Sequence, residues 1–131
     1  MRLYEILDKI IKRLGVDWVI ERSNINGCTV EKRYSGTMVQ TLYRNEDKAG
    51  WVKGTSSIQG ALFHAKTFEF AAHFTGIPTV LASARVGNGI GYGTTTWPSA
   101  RDVNLHITGS QAMSSSAPVR DISIIAIRKW K

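Results

Sequence analysis

Apolar and polar residues alternate along much of this 131-residue chain after Gly15, and a period of two predicts β-structure. The clearest stretch is 102–108, in which Val103, Leu105 and Ile107 alternate with polar residues. No second stretch after Gly15 has the spacing of a useful helix. The sequence therefore predicts a mainly β fold, an antiparallel β-sandwich preceded by one short helix.

About six strands are expected, joined by Gly- and Ser-rich connections. Residues 28–34 and 37–44 are predicted to pair as a hairpin around a turn at Ser35-Gly36. A further strand is expected at 68–74, whose three phenylalanines alternate and mark a core face, and another at 79–86.

The most apolar strand is predicted at 119–128. Its residues are apolar on both faces, so it is expected to lie centrally in a sheet or beneath another subunit. Three longer stretches are predicted as loops, and loops of this length are usually functional or disordered. They are 45–60, 87–101 and 109–118.

Residues 3–14 are predicted to form an amphipathic helix that ends at Gly15. A free helix of this length is marginal in water, so its apolar stripe needs a partner. That partner is either the rest of the same domain or a short bundle of helices from identical chains. The stripe residues are the candidate oligomerisation residues: Leu3, Leu7, Ile10 and Leu14.

The chain has 17 Lys and Arg against 10 Asp and Glu, a formal charge of +7. This excess suggests an anionic partner, which could be nucleic acid, a membrane surface or an anionic glycan. The basic residues are spread out, and no nucleic-acid-binding motif is present. The glycine run 87–93 leads into Thr94-Thr95-Thr96, not into a helix, which argues against a nucleotide-binding loop.

No apolar run has the length of a membrane span, and the N-terminus lacks the features of a secretory signal. Cys28 is the only cysteine, so it cannot form an internal disulfide and is expected to be a half-buried strand residue. His64, His73 and His106 lack the spacing of a local zinc site. No metal or cofactor is expected.

Catalysis is not expected either, because carboxylates are scarce and no nucleophilic serine elbow occurs. A polysaccharide depolymerase stays open as an alternative. It would pair Asp102 with Glu69 or Asp121 across a sugar.

The stretch 85–106 contains the residue types of a sugar site. An aromatic ring can stack on the apolar face of a pyranose, while polar side chains bond its hydroxyls. Trp97 could equally fold back onto the core or into a subunit contact. The candidate glycan-binding residues are Arg85, Asn88, Tyr92, Trp97, Arg101, Asp102 and His106. Asn104, in the same stretch, is of a suitable type as well.

Four stretches, in this order, resemble small tail-fibre proteins of phages and prophages. The chain end has Arg128-Lys129 where a Gly-Arg pair is usual in that family. The order of these segments is also similar to the H-type lectin fold, a trimeric antiparallel sandwich. The stretches are 3–11 with 18–21, 30–40, 68–80 and 125–131.

The resemblance implies a homotrimeric fibre tip that binds a bacterial surface saccharide without cleaving it. Residues 1–27 would form a helix and a segment for attachment to other fibre, tail or head proteins, and residues 28–131 the receptor-binding sandwich. Such a protein would be assembled in the host bacterial cytoplasm and would reside in the virion. A purely structural role in a head or baseplate fibre is the alternative.

Overall fold

The computed structural model of the protein describes residues 2–14, 18–47, 49–55, 62–86, 92–109 and 118–130. Within them the chain is mainly β, with one helix, α1 (Leu3–Leu14), and nine strands where about six were expected. The strands are β1 (Val19–Ile25), β2 (Cys28–Arg33), β3 (Thr37–Asp47), β4 (Val52–Thr55), β5 (Leu62–Glu69), β6 (Thr79–Val86), β7 (Tyr92–Pro98), β8 (Asp102–Gly109) and β9 (Val119–Lys129).

The strands form two antiparallel sheets, as the alternating pattern predicts. The five-stranded sheet has the order β1-β2-β3-β9-β6, and the four-stranded sheet has the order β4-β5-β8-β7. The core lies between them, where Leu105 and Ile107 of β8 share one cluster with Ile122 and Ile124 of β9. The two β8 side chains and Ile122 are fully buried.

Strand β9 lies between β3 and β6, which confirms the prediction of a central strand for 119–128. One of its faces is buried in the core, and the other is exposed. Ile125 and Ile127 lie on this exposed face, with 39% and 43% of their surface accessible. They face outward beside Leu81 of β6, which lies opposite Ile125 and is 68% exposed.

The hairpin predicted at 28–44 is confirmed, since β2 pairs with β3 around a turn that ends at Gly36. A second hairpin precedes it. Asn26 and Gly27 both have positive φ angles, 52° and 79°, and connect β1 to β2. Such a two-residue turn matches the twist of antiparallel strands. Residues 19–25 therefore form one of the two edge strands of the five-stranded sheet, while attachment through 1–27 stays a prediction.

Two of the predicted loops contain strands, so those predictions are wrong in part. Within 45–60, β3 continues to Asp47 and β4 follows at Val52–Thr55. Within 87–101, Tyr92–Pro98 form β7, because β-branched Thr94, Thr95 and Thr96 favour a pleated strand despite the preceding glycines. Residues 48, 56–60, 87–91 and 110–117 of the three predicted loops lie outside the described residues.

The strand predicted at 68–74 is wrong beyond Glu69, where β5 ends. Phe68 and Phe74 are nevertheless both buried, as the alternation indicated. Between them the backbone leaves the sheet, and Phe70 and Phe74 donate their N–H groups to carbonyls of the β7–β8 turn.

Helix α1 confirms the predicted helix, although the side chain of Leu14 lies outside the described residues. The Tyr34 hydroxyl donates a hydrogen bond of 2.6 Å to Asp8, which lies on the polar side of the helix. Leu3, Leu7 and Ile10 on the other side are 68%, 41% and 44% exposed. The helix therefore meets its own sandwich through a polar contact, and its apolar stripe is accessible. Among the described residues, no helix has the length and apolar character that crossing a membrane requires.

Candidate functional site

The outer surface of the four-stranded sheet gathers part of the predicted sugar site. Trp97 of β7 and Thr67 of β5 both lie opposite Asn104 of β8. Directly opposed residues share a face of a sheet, so these three side chains point the same way. The neighbouring Val103 and Leu105 are fully buried, which places Asn104 and His106 on the outer face.

Two aromatic rings meet on this surface. The indole of Trp97 and the imidazole of His106 lie edge to face, with centroids 4.5 Å apart and an interplanar angle of 71°. Trp97 is 58% exposed, and His106 is partly buried beneath this contact. A large indole so supported offers a fixed, flat apolar surface to a ligand.

Polar groups surround the rings. The Asn104 amide donates to the Thr67 hydroxyl at 3.2 Å. The Asp102 carboxylate accepts a hydrogen bond of 2.9 Å from Ser99, whose hydroxyl accepts the N–H groups of Arg101 and Asp102 at 3.1 Å each. The turn between β7 and β8 is thus fixed by its own side chains. We call Trp97, His106, Asn104, Thr67 and Asp102 the aromatic face.

The other predicted residues lie elsewhere. Arg101 is exposed in the adjoining turn. Arg85 lies in β6 of the other sheet and pairs with Asp121, so the fold does not bring it to the aromatic face. Tyr92 begins β7, but its side chain lies outside the described residues, as does the whole of Asn88.

A groove that the sequence did not indicate lies between the two sheets, alongside β3 and β5. Its volume is about 300 Å³, and it adjoins an open cavity of about 550 Å³. Arg44 of β3 and Lys66 of β5 line both. We call this pair of cavities the inter-sheet groove. The sequence does not predict this groove, because residues 45–60 are predicted as a loop and no strand is predicted at 62–67.

Cys28 borders this groove but is not a reactive thiol. It is 6% exposed, and its thiol donates to the Gln40 amide oxygen at 3.7 Å. Burial raises the pKa of the Cys28 thiol, which favours the neutral and unreactive form. The structure confirms it as a strand residue and buries it more deeply than predicted. Within the described ranges, no cluster of three His, Cys, Asp or Glu residues could hold a metal ion.

Two solved structures of tail fibres are similar to this architecture. An N-truncated R1-type pyocin tail fibre superposes with a TM-score of 0.53 at 12% sequence identity, over 92% of this chain and 94% of that one. A C-terminal portion of the P. aeruginosa R1 pyocin fibre gives 0.54 at 13% identity, over 90% of this chain and 30% of that one. No protein-family model matches the sequence, and no curated protein sequence is significantly similar to it.

The chain is tail-fibre-like in fold. This confirms the tail-fibre resemblance that the sequence suggested, whereas the finer similarity to the H-type lectin fold stays a prediction.

Proposed function

We propose that this protein is a receptor-binding component of a phage-type tail fibre, and that its aromatic face recognises a bacterial surface glycan without cleaving it. The tail-fibre fold supports the first part. The observation that carries the second part is Trp97, a large indole held exposed on a sheet surface by edge-to-face contact with His106.

The chemistry of the aromatic face suits a sugar ring. The indole of Trp97 would cover the apolar face of a pyranose and lose its contact with water on binding. Thr67, Asn104 and Asp102 would then meet the hydroxyl groups, which need donors and acceptors once they are removed from water.

Binding without cleavage is supported by the positions of the carboxylates. Asp102 accepts the Ser99 hydroxyl and so maintains the turn. Asp121 lies in the other sheet and pairs with Arg85, so it is not available to act with Asp102. Glu69, opposite Asp102 at the end of β5, is the remaining candidate for a depolymerase.

Surface polysaccharide extracted from host cells, incubated with the purified protein, tests this function. Binding without release of reducing ends is the expected result. Release of reducing ends would establish the depolymerase instead and direct attention to Asp102 and Glu69. Absence of binding to both cells and polysaccharide would leave only a structural role in a head or baseplate fibre.

We further propose that the working unit is a homotrimer. Two exposed apolar surfaces support association: the α1 stripe and the outer strip of the five-stranded sheet, formed by Leu81, Ile125 and Ile127. Identical chains related by a closed rotation could bury both. The segment 1–27 would also attach the trimer to other fibre, tail or head proteins, in a virion assembled in the bacterial cytoplasm and without membrane insertion.

Light scattering at micromolar concentration tests the assembly. We expect a trimer mass for the wild type and a smaller species for Leu7→Lys, which puts a charge in the middle of the apolar stripe. Lys9→Gln, on the polar side of the same helix, should keep the trimer. A wild-type monomer would overturn the proposed assembly.

A further inference from the structure

We propose that the inter-sheet groove is a second binding site, which has its own anchor residues although Thr67 borders both it and the aromatic face, and that it takes an acidic sugar unit whose carboxylate meets Arg44 and Lys66. The inference rests on the proposed function in one respect, since it names a glycan component as the ligand. Its anchor is independent, because Arg44 and Lys66 line the groove and are not part of the aromatic face.

The groove has the size and lining of a small-molecule site. Its inner part, about 300 Å³, falls at the lower end of the range of about 300–1,000 Å³ that ligand pockets occupy. Polar groups form more of its wall than apolar ones, and the large apolar side chains there would cover the ring of a pyranose. They are Ile25, Leu42, Phe68 and Phe70.

The two cations come from facing sheets and are differently engaged. Lys66 donates to both oxygens of Asp47 at 2.8 Å, and Trp51 donates to the same carboxylate at 3.3 Å. Asp47 is thereby satisfied. Arg44 lies 4.0 Å from Asp47, the outer limit of an ion pair, and its side chain is 43% exposed.

The local charges leave a positive excess at Arg44. Asp47 is balanced by Lys66, and Glu46, which lines the same cavity, is paired with Arg120 at 3.8 Å. A guanidinium can present two parallel N–H donors to a carboxylate, a geometry that is stronger and more specific than a single contact. The adjoining ammonium of Lys66 is held in place by Asp47 and by the ring of Phe68, 5.2 Å away.

The other end of the groove has a different character. Glu69 and Thr67 line it, and both are exposed. A carboxylate there accepts hydrogen bonds from hydroxyls but repels a second anionic group. The ligand that fits both ends carries one carboxylate and several hydroxyl groups, which is the composition of a hexuronic acid.

Titration calorimetry of the full-length protein with D-glucuronate as the probe tests this site. D-Glucose tests the need for the charge, and acetate tests the need for the sugar. Arg44→Gln removes the proposed anchor. The buried carboxylate of Asp47 keeps its ion pair with Lys66 in this variant. Arg22→Gln removes the same charge from edge strand β1, where Arg22 pairs with Glu31 at 3.4 Å, and is the matched control.

We expect glucuronate to bind, glucose and acetate to bind at least about tenfold more weakly, and Arg44→Gln to weaken glucuronate by about tenfold or more. Arg22→Gln and Trp97→Ala should leave the glucuronate affinity unchanged. Equal losses in both arginine variants, or acetate binding as tightly as glucuronate, would overturn the proposal. Loss of glucuronate binding in Trp97→Ala would assign the sugar to the aromatic face and also overturn it. Because Trp97→Ala should weaken polysaccharide recognition while sparing glucuronate binding in the groove, failure of either site is visible separately.

Discussion

Gln40 of β3 joins the two halves of the sandwich through Ala72, to whose carbonyl its side-chain amide donates at 2.6 Å. The amide oxygen accepts the N–H groups of Ala71 and Ala72, at 3.0 and 3.4 Å. This buried side chain therefore fixes the segment after β5, where the backbone has left the sheet. Because the same segment bonds the β7–β8 turn, Gln40 supports the aromatic face from the opposite sheet.

Gln40→Leu is expected to destabilise the protein by about 2–4 kcal/mol, because three part-buried backbone groups lose their partners at once. Urea unfolding followed by circular dichroism measures this loss. Thr41→Val, on the exposed side of the same strand, should change stability by no more than about 0.5 kcal/mol. A Gln40→Leu variant as stable as this control would show that the segment is held by other contacts.

The parts of the fold that the sequence predicted are those in which local pattern and burial agree. Val103, Leu105 and Ile107 alternate and are fully buried, and the two-sided strand at 119–128 is central. The Asn26-Gly27 pair is also a hairpin signal, but strand β1 before it is exposed along most of its length and lacks the alternation that marks the core strands. Strand β1 ends at that turn and pairs with β2 across it.

The candidate site was less predictable, because it depends on register between distant strands. Trp97 and His106 share a face only because β7 and β8 pair in one particular register. The inter-sheet groove depends on Arg44 and Lys66 coming from different sheets, a relation that no local spacing encodes. Residue types suggested the first site, whereas nothing in the sequence indicated the second.

The thiol of Cys28 should react with a disulfide reagent far more slowly in the native protein than in urea, by on the order of 100-fold at mildly alkaline pH. It is buried, and its pKa is raised by that burial. The folded state therefore favours the neutral thiol. The stability that depends on this neutral form is fully present below the unfolded thiol pKa and is lost as pH rises through the higher folded pKa. Labelling at similar rates in both states would contradict the burial. Cys28→Ala provides the background rate.

The hydroxyl of Tyr34 should ionise at a higher pH than that of an ordinary tyrosine. Its hydroxyl donates to Asp8, and this hydrogen bond raises the pKa of Tyr34 above its ordinary value. The hydrogen bond between α1 and the sandwich therefore contributes fully below the tyrosine pKa of the unfolded chain. Its contribution is lost as pH rises through the higher pKa of Tyr34 in the folded state. Tyrosinate absorbance measures this midpoint, and Tyr34→Phe should remove a component that ionises above the ordinary tyrosine pKa. Loss of a component that ionises at the ordinary tyrosine pKa instead would refute the contact.

Trp97→Ala should weaken binding to surface polysaccharide by about 2 kcal/mol or more, roughly thirtyfold, because an exposed indole at the centre of a recognition surface contributes most of the contact area. The fold should survive, since Trp97 is 58% exposed and contacts the partly buried His106 at the sheet surface. Trp18→Ala is the matched control, because Trp18 is 51% exposed but lies next to β1 in the other sheet. Binding is measured with immobilised polysaccharide, and stability by thermal unfolding. Equal losses of binding in the two variants would move recognition away from the aromatic face, whereas a loss in Trp97→Ala alone would assign it there.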